Sequence, residues 1–189
     1  MRKELEIIIS SARNGDKKAM GLLVQQYQQY AFNLAFRLVC NEDDARDVVQ
    51  DSFIKMWRNM KQFNPEIKFT TWMYKIVTNT AIDLLRSTKK MNLVSIDDFQ
   101  EKFVSASADN PEIQLNNKET GQMIRSISNT LSEKQKLVFV LKDLQGLSSS
   151  EVGDVLDLST NSIKSNLYHA RKVIKEKMQK ILSYEGRAL

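Results

Sequence analysis

Cysteine and histidine are almost missing from this sequence, with one of each, Cys40 and His169, in 189 residues. A single cysteine excludes an internal disulfide, and one cysteine with one histidine makes no Cys/His set at metal-ligand spacing. Cys40 reads as a small apolar residue packed at the end of an apolar helix. Turn formers are scarce as well: two prolines and six glycines disfavour turn-rich β architecture and favour long helices. No apolar run approaches the roughly 18 residues of a membrane span. The opening MRKELEIIIS mixes acids into a short apolar stretch and lacks the form of a secretory signal. The expectation is a cytoplasmic protein without direct membrane insertion.

What the chain does have is basic charge and helical periodicity. The net charge is +5, which favours a polyanionic partner. Its distribution says more, because residues 160–182 hold six basic residues against one acid, Glu176. Apolar residues recur at three- and four-residue steps: Leu5, Ile8 and Ile9, then Met20, Leu23 and Val24, then Leu34, Ala35 and Leu38. EDDARDVVQDSFIKMWRNM continues with Ala45, Val48, Val49, Ser52, Phe53, Met56 and Trp57 on one face, and its opening acids suit a helix N-terminus. Pro65 then breaks the chain, and KFTTWMYKIVTNTAIDLLR reads as the next helix, with Thr70 or Thr71 as N-cap.

From about Ser87 to Glu119 the periodicity fades into a polar, serine-containing stretch that reads as a linker. Beyond it, Ser132 with Gln135 and Ser148 with Glu151 stand at capping-box spacing. Gly146 stops the first of these helices, and Ser159 and Thr160 cap a last, basic one. The expected fold is all-α, two small helical domains joined by a flexible linker: residues 1–88, a linker at 89–120, and a C-terminal domain at 121–189 containing a helix-turn-helix.

Three faces carry possible function. In the last helix Ile163, Leu167, Ala170 and Ile174 must face inward, which turns Asn161, Lys164, Ser165, Tyr168 and Lys172 outward, with His169 and Arg171 at the margins. Amides, hydroxyls and cations on one helix face can read base edges and hold phosphates; the plainer reading is a solvated face. In residues 68–86, Trp72 borders a polar face with Lys75, Asn79 and Arg86. Its ring either covers the core rim or offers a stacking platform for unpaired bases beside Lys68, Lys75 and Arg86. On the preceding helix Asp47, Gln50, Asp51 and Arg58 surround Ile54, and an apolar residue rimmed by charge marks a protein contact or an ordinary exposed isoleucine.

These segments carry a resemblance. GLSSSEVGDVLDLS and SIKSNLYHARK are similar to the region that reads the −35 promoter element in bacterial sigma factors of the extracytoplasmic-function (ECF) type in the sigma-70 family. DARDVVQDSFIKMW resembles the helix with which they grip the clamp helices of RNA polymerase β′, and KFTTWMYKIVTNTAIDLLR resembles the helix bordering the melted −10 element. The resemblance covers residues of about 20–86 and 131–178. It implies core-polymerase docking by Asp47, Gln50, Asp51, Ile54 and Arg58. For the −10 element it implies Lys61 and Asn64 in the loop from Asn59 to Phe69, with Lys68, Trp72, Lys75, Asn79 and Arg86. For the −35 element it implies Asn161, Ser162, Lys164, Ser165, Tyr168, His169, Arg171 and Lys172. Gly153 stands where alanine is usual.

The implied partners are bacterial core polymerase, through the β′ clamp helices and the β flap, promoter DNA in duplex and melted form, and an anti-sigma factor that can hold the protein at the inner membrane. The linker acids Asp97, Asp98 and Glu101 resemble a phosphate chain on the path of template and RNA. The free chain is expected to be compact or autoinhibited through interdomain contacts. No catalysis, metal or cofactor is expected. A stand-alone helix-turn-helix regulator leaves the face of residues 68–86 unexplained. A metal-dependent nuclease built on Glu42, Asp43, Asp44 and Asp47 is disfavoured, because successive acids fan around a helix axis instead of converging.

Overall fold

The computed structural model describes residues 2–94 and 130–185, and every regular element among them is helical. In chain order these are α1 (Arg2–Arg13), α2 (Lys17–Val39), α3 (Glu42–Asn59), a 3-10 turn (Met60–Gln62), α4 (Phe69–Val94), α5 (Glu133–Phe139) running into a π turn (Val140–Leu144), α6 (Ser149–Leu156) and α7 (Thr160–Glu185). The linker acids Asp97, Asp98 and Glu101 lie outside the described residues, and α4 continues to Val94, past the expected domain edge at residue 88.

Local chemistry sets most helix ends. Asp16 caps α2, its Oδ1 accepting from the backbone N–H of Lys18 at 2.8 Å and of Ala19 at 3.3 Å. The helix closes on Cys40, which is buried as expected and takes a left-handed conformation at φ 57°, while Asn41 caps α3 through the Asp44 N–H at 3.0 Å. Both capping boxes form: the Ser132 and Ser148 hydroxyls accept from the backbone N–H groups of Gln135 and Glu151, whose side-chain oxygens accept in turn from the backbone N–H groups of Ser132 and Ser148. Gly146 supplies the positive φ of 74° that turns the chain out of the π segment.

The N-cap of α4 differs from expectation. The helix begins at Phe69, and the Lys68 carbonyl accepts from the N–H groups of Thr71 and Trp72. Phe69 is buried against Tyr27 and Phe63, with ring centroids 5.0 and 5.8 Å away, and Thr71 is itself buried. Packing of the aromatic thus draws the first turn forward and leaves neither threonine free to cap.

Leu23, Leu34, Leu38, Met56, Met73 and Val77 form the centre of an α1–α4 bundle, and Val138, Leu141, Val152 and Ile163 that of the α5–α7 unit. Each such side chain contributes about 1.5–3 kcal/mol by leaving water. The two centres belong to one contiguous cluster, because α6 packs on α4 and the π turn on α2. Polar contacts also cross this joint. Lys136 Nζ donates to the Leu38 carbonyl at 2.6 Å, and Arg37 Nη1 donates to that of Leu144 at 2.8 Å, so two helix-terminal carbonyls gain cationic donors.

Candidate nucleic-acid interface

The outer face of α3 is the first of three surfaces. Its inner residues Ala45, Val48, Ser52, Phe53 and Met56 are buried, which fixes the roll of the helix and turns Asp47, Gln50, Asp51 and Arg58 into solvent around Ile54, 41% exposed. Ile54 is also a wall of an open groove of about 680 Å³ between α2 and α3, lined by Val24, Gln28, Phe32, Phe53 and Trp57 among others. Phe32 and Gln28 are additions to the expected set. Four-residue steps from Val24 lead to both, but only the α2–α3 packing places them opposite Ile54. Of the four acids weighed as a metal site, Glu42 and Asp43 are turned to Arg46, at 2.6 and 3.8 Å.

The second surface is α4 with the loop before it. Met60 and Phe63 are buried and anchor that loop, while Lys61, Asn64 and Lys68 stay exposed. The Asn64 side chain accepts from the Glu66 N–H at 3.0 Å, which shapes the loop as an Asx turn. Trp72 is half-buried, its ring 5.0 Å from Phe63 and 5.9 Å from Phe69. The rim reading therefore holds for one side of the indole. Asn79 is exposed. Asp83 instead faces Lys55 Nζ at 3.8 Å, and the same ammonium donates to Thr80 Oγ1 at 3.1 Å, so this pair ties α3 to α4.

Lys75 and Arg86 on α4, and Lys68 just before its first turn, each meet a carboxylate of the other unit: Lys68 meets Glu151 at 2.8 Å, Lys75 meets Asp157 at 2.8 Å and Arg86 meets Glu133 at 3.2 Å. Lys68 holds the Glu151 carboxyl far below its ordinary 4.5, at about 2, helped by the Ser148 N–H and hydroxyl of the capping box.

The third surface is the α6–turn–α7 motif. Val152 and Val155 of α6 face Ile163, Leu167 and Ala170 of α7 in the core, and the turn between the helices passes through Asp157 in a left-handed conformation at φ 53°. A Cβ added at Gly153 would lie 3.1 Å from the Leu158 carbonyl oxygen, so the turn lies close against this helix. Asn161, Lys164, Ser165, Tyr168, His169 and Lys172 project into solvent together, with Tyr168 65% exposed and its ring edge-on to His169 at 5.4 Å. Two expected members differ. Ser162 is half-buried, and its carbonyl and hydroxyl accept from Asn166 Nδ2. Arg171 gives Nε and Nη2 to Asp143 at 2.8 and 2.7 Å, a bidentate fork that braces α7 on the π turn.

Comparison with known proteins matches the chain to two family models, "Sigma-70 region 2" over residues 23–91 and "Sigma-70, region 4" over residues 121–174. It is 30% identical over 183 residues to the ECF RNA polymerase sigma-E factor of Haemophilus influenzae, covering 94% of this chain and 96% of the relative. With the Escherichia coli K12 sigma-E factor it shares 28% identity, covering 95% of that protein. Among solved structures, CnrH in complex with the cytosolic domain of CnrY superposes with a TM-score of 0.70 at 24% identity, over 92% of this chain and 96% of CnrH. RpoE of Bartonella quintana, in complex with the anti-sigma factor NepR, gives 0.69 at 21% identity, over 86% and 98%. These two share the fold.

Proposed function

This chain belongs to the sigma-70 family, among the extracytoplasmic-function RNA polymerase sigma factors, and from that premise we propose how its three surfaces divide the work. The protein directs core polymerase to specific promoters and supports their opening, by binding and not by catalysis. The face of α3, with Asp47, Gln50, Asp51, Ile54 and Arg58 and the groove beside it, docks on the β′ clamp helices. Lys61, Asn64, Lys68, Trp72, Lys75, Asn79 and Arg86 take the melted −10 strand: the cations neutralise phosphates, and the loop and Trp72 hold unpaired bases.

Asn161, Lys164, Ser165, Tyr168, His169 and Lys172 enter the −35 major groove, with Ser162 at the edge of that face and Arg171, forked to Asp143, setting the position of α7 behind them. The β flap is the polymerase contact of the C-terminal unit. An anti-sigma factor is a further partner, by analogy with the NepR complex of the B. quintana protein. The place of work is the cytoplasm, where core polymerase and promoters meet.

The observation that carries this reading is the presence of the two family regions in one chain, in order, each with its own exposed polar face. Run-off transcription with bacterial core polymerase, with and without this protein, on a library of upstream DNA from its own genome tests it. Initiation at defined sites only in its presence is the expected result. No initiation, together with tight duplex binding by the protein alone, replaces the reading with a stand-alone regulator.

A further inference from the structure

Lys55 follows Ile54 on α3, yet the two side chains serve different neighbours. Consecutive residues of a helix point about 100° apart, so that Ile54 looks out from the docking face while Lys55 reaches α4. Its Nζ donates to Thr80 Oγ1 at 3.1 Å and lies 3.8 Å from Asp83 Oδ2. Thr80 is buried, and its hydroxyl donates to the Ile76 carbonyl at 2.9 Å. That proton is therefore committed, and a lone pair of the same oxygen receives the ammonium. The backbone of Lys55 serves the end of α3: its carbonyl accepts from Asn59 Nδ2 at 2.8 Å, which holds the residue from which the chain leaves for the loop before α4.

α3 and α4 also pack through the apolar core that contains Met56, Met73 and Val77. Burial of apolar surface is non-directional, so it holds two helices together more firmly than it sets the roll and slide of one along the other. A hydrogen bond from a charged donor is directional and does set them. What this register governs lies beside Thr80. Asn79 precedes it, and Lys75 and Trp72 stand within about two turns before it on the same helix. A slip of one residue, about 1.5 Å, carries all three relative to a polymerase docked on α3. We propose that Lys55 is a positioning residue for promoter opening: through Thr80 and Asp83 it holds α4 in register on the docked α3, and so sets where the −10 face stands relative to polymerase. The proposal rests on the docking of α3 and on the −10 assignment of α4.

Three substitutions in the full-length chain isolate the contact. Lys55→Met keeps an unbranched apolar stem and removes the donors, Lys55→Arg keeps charge and donors, and Thr80→Val removes the acceptor while leaving the lysine in place. In the polymerase holoenzyme, Lys55→Met and Thr80→Val should each slow open-complex formation about fivefold, as expected for one partly exposed hydrogen bond to a charged donor. Lys55→Arg should retain the wild-type rate. The double variant Lys55→Met, Thr80→Val should be no slower than either single one, because both act through one contact. Core polymerase affinity and −35 duplex binding should stay at wild-type values throughout. Ile9→Ala, a buried change on α1, is the control for stability: it should lower Tm more than Lys55→Met does and leave opening unchanged well below that Tm.

Lost core affinity in Lys55→Met, or slower opening there with Thr80→Val at the wild-type rate, means that the ammonium itself touches polymerase or DNA and overturns the positioning role. Equal slowing by Ile9→Ala reduces the effect to stability and overturns it as well. The holoenzyme carrying Trp72→Ala, Lys75→Ala, Asn79→Ala separates the proposal from the reading beneath it. If opening is impaired there while Lys55→Met opens at the wild-type rate, the −10 site stands and the positioning role falls. If that triple variant opens normally, the −10 assignment fails and takes the positioning role with it.

Discussion

Replacing Ile54 by Asp tests the docking surface at its centre. Ile54 is 41% exposed in the free chain, and its neighbours on the inner side of α3 hold the helix without it. A fully buried isoleucine contributes about 1.5–3 kcal/mol; covering the remaining two-fifths on docking therefore contributes about 1 kcal/mol. An unpaired carboxylate forced into the same contact adds about 2–3 kcal/mol. The sum, about 3–4 kcal/mol, weakens core polymerase binding by roughly two to three orders of magnitude. Ile54→Ala loses only the apolar part and weakens it about fivefold. Titration of labelled protein with core polymerase gives the affinities, and thermal denaturation checks the fold, whose Tm should move by only a few degrees because the site is exposed. Core affinity of Ile54→Asp equal to wild type, with the fold intact, removes the α3 face from the interface.

Further expectations concern the other surfaces. Lys164→Ala should weaken −35 duplex binding by the holoenzyme and lower the salt dependence of that binding by about one phosphate contact; an unchanged slope means Lys164 touches no phosphate. Arg171→Ala and Asp143→Asn should each weaken duplex binding, and the double variant should be no worse than either single one, because both act through one fork; an additive loss would assign Arg171 to the DNA instead. Met73→Ala, at a position with no exposed surface, should cost about 2–5 kcal/mol and lower Tm by roughly 5–15 °C in a thermal melt. The Glu151 carboxyl lies below its ordinary 4.5, at about 2, so its stabilising contribution is complete above pH 4.5 and disappears as pH falls toward 2. The Tm gap between wild type and Glu151→Gln should be constant from pH 5 to 8 and close only on that acid limb; a gap that closes near pH 6 points to another group.

Helix ends and helix faces were legible in the sequence because the interactions that make them span three or four residues. Ser132 with Gln135 and Ser148 with Glu151 cap where their spacing puts them, Gly146 turns the chain as expected, and the apolar period of α3 and α7 fixes which side chains reach solvent. The start of α4 was not legible, because Phe69 is drawn into the helix by Tyr27, a contact that propensity does not contain. The groove beside Ile54 escaped for a similar reason. Phe32 reads as one more apolar residue until α3 is laid against α2.

The composition and periodicity of this chain thus determine a set of amphipathic helices, a basic recognition helix and an aromatic-basic stripe on α4, all decided by neighbours in sequence. What occupies that stripe was decided by packing. Lys68 meets Glu151 and Lys75 meets Asp157 across 83 and 82 residues, and Arg86 meets Glu133 across 47. Opposite charges along a sequence do not specify which will meet. The pairing follows from the packing of α6 on α4, which sets Glu151 and Asp157 over Lys68 and Lys75, and from the placement of α5, whose first residue Glu133 reaches Arg86.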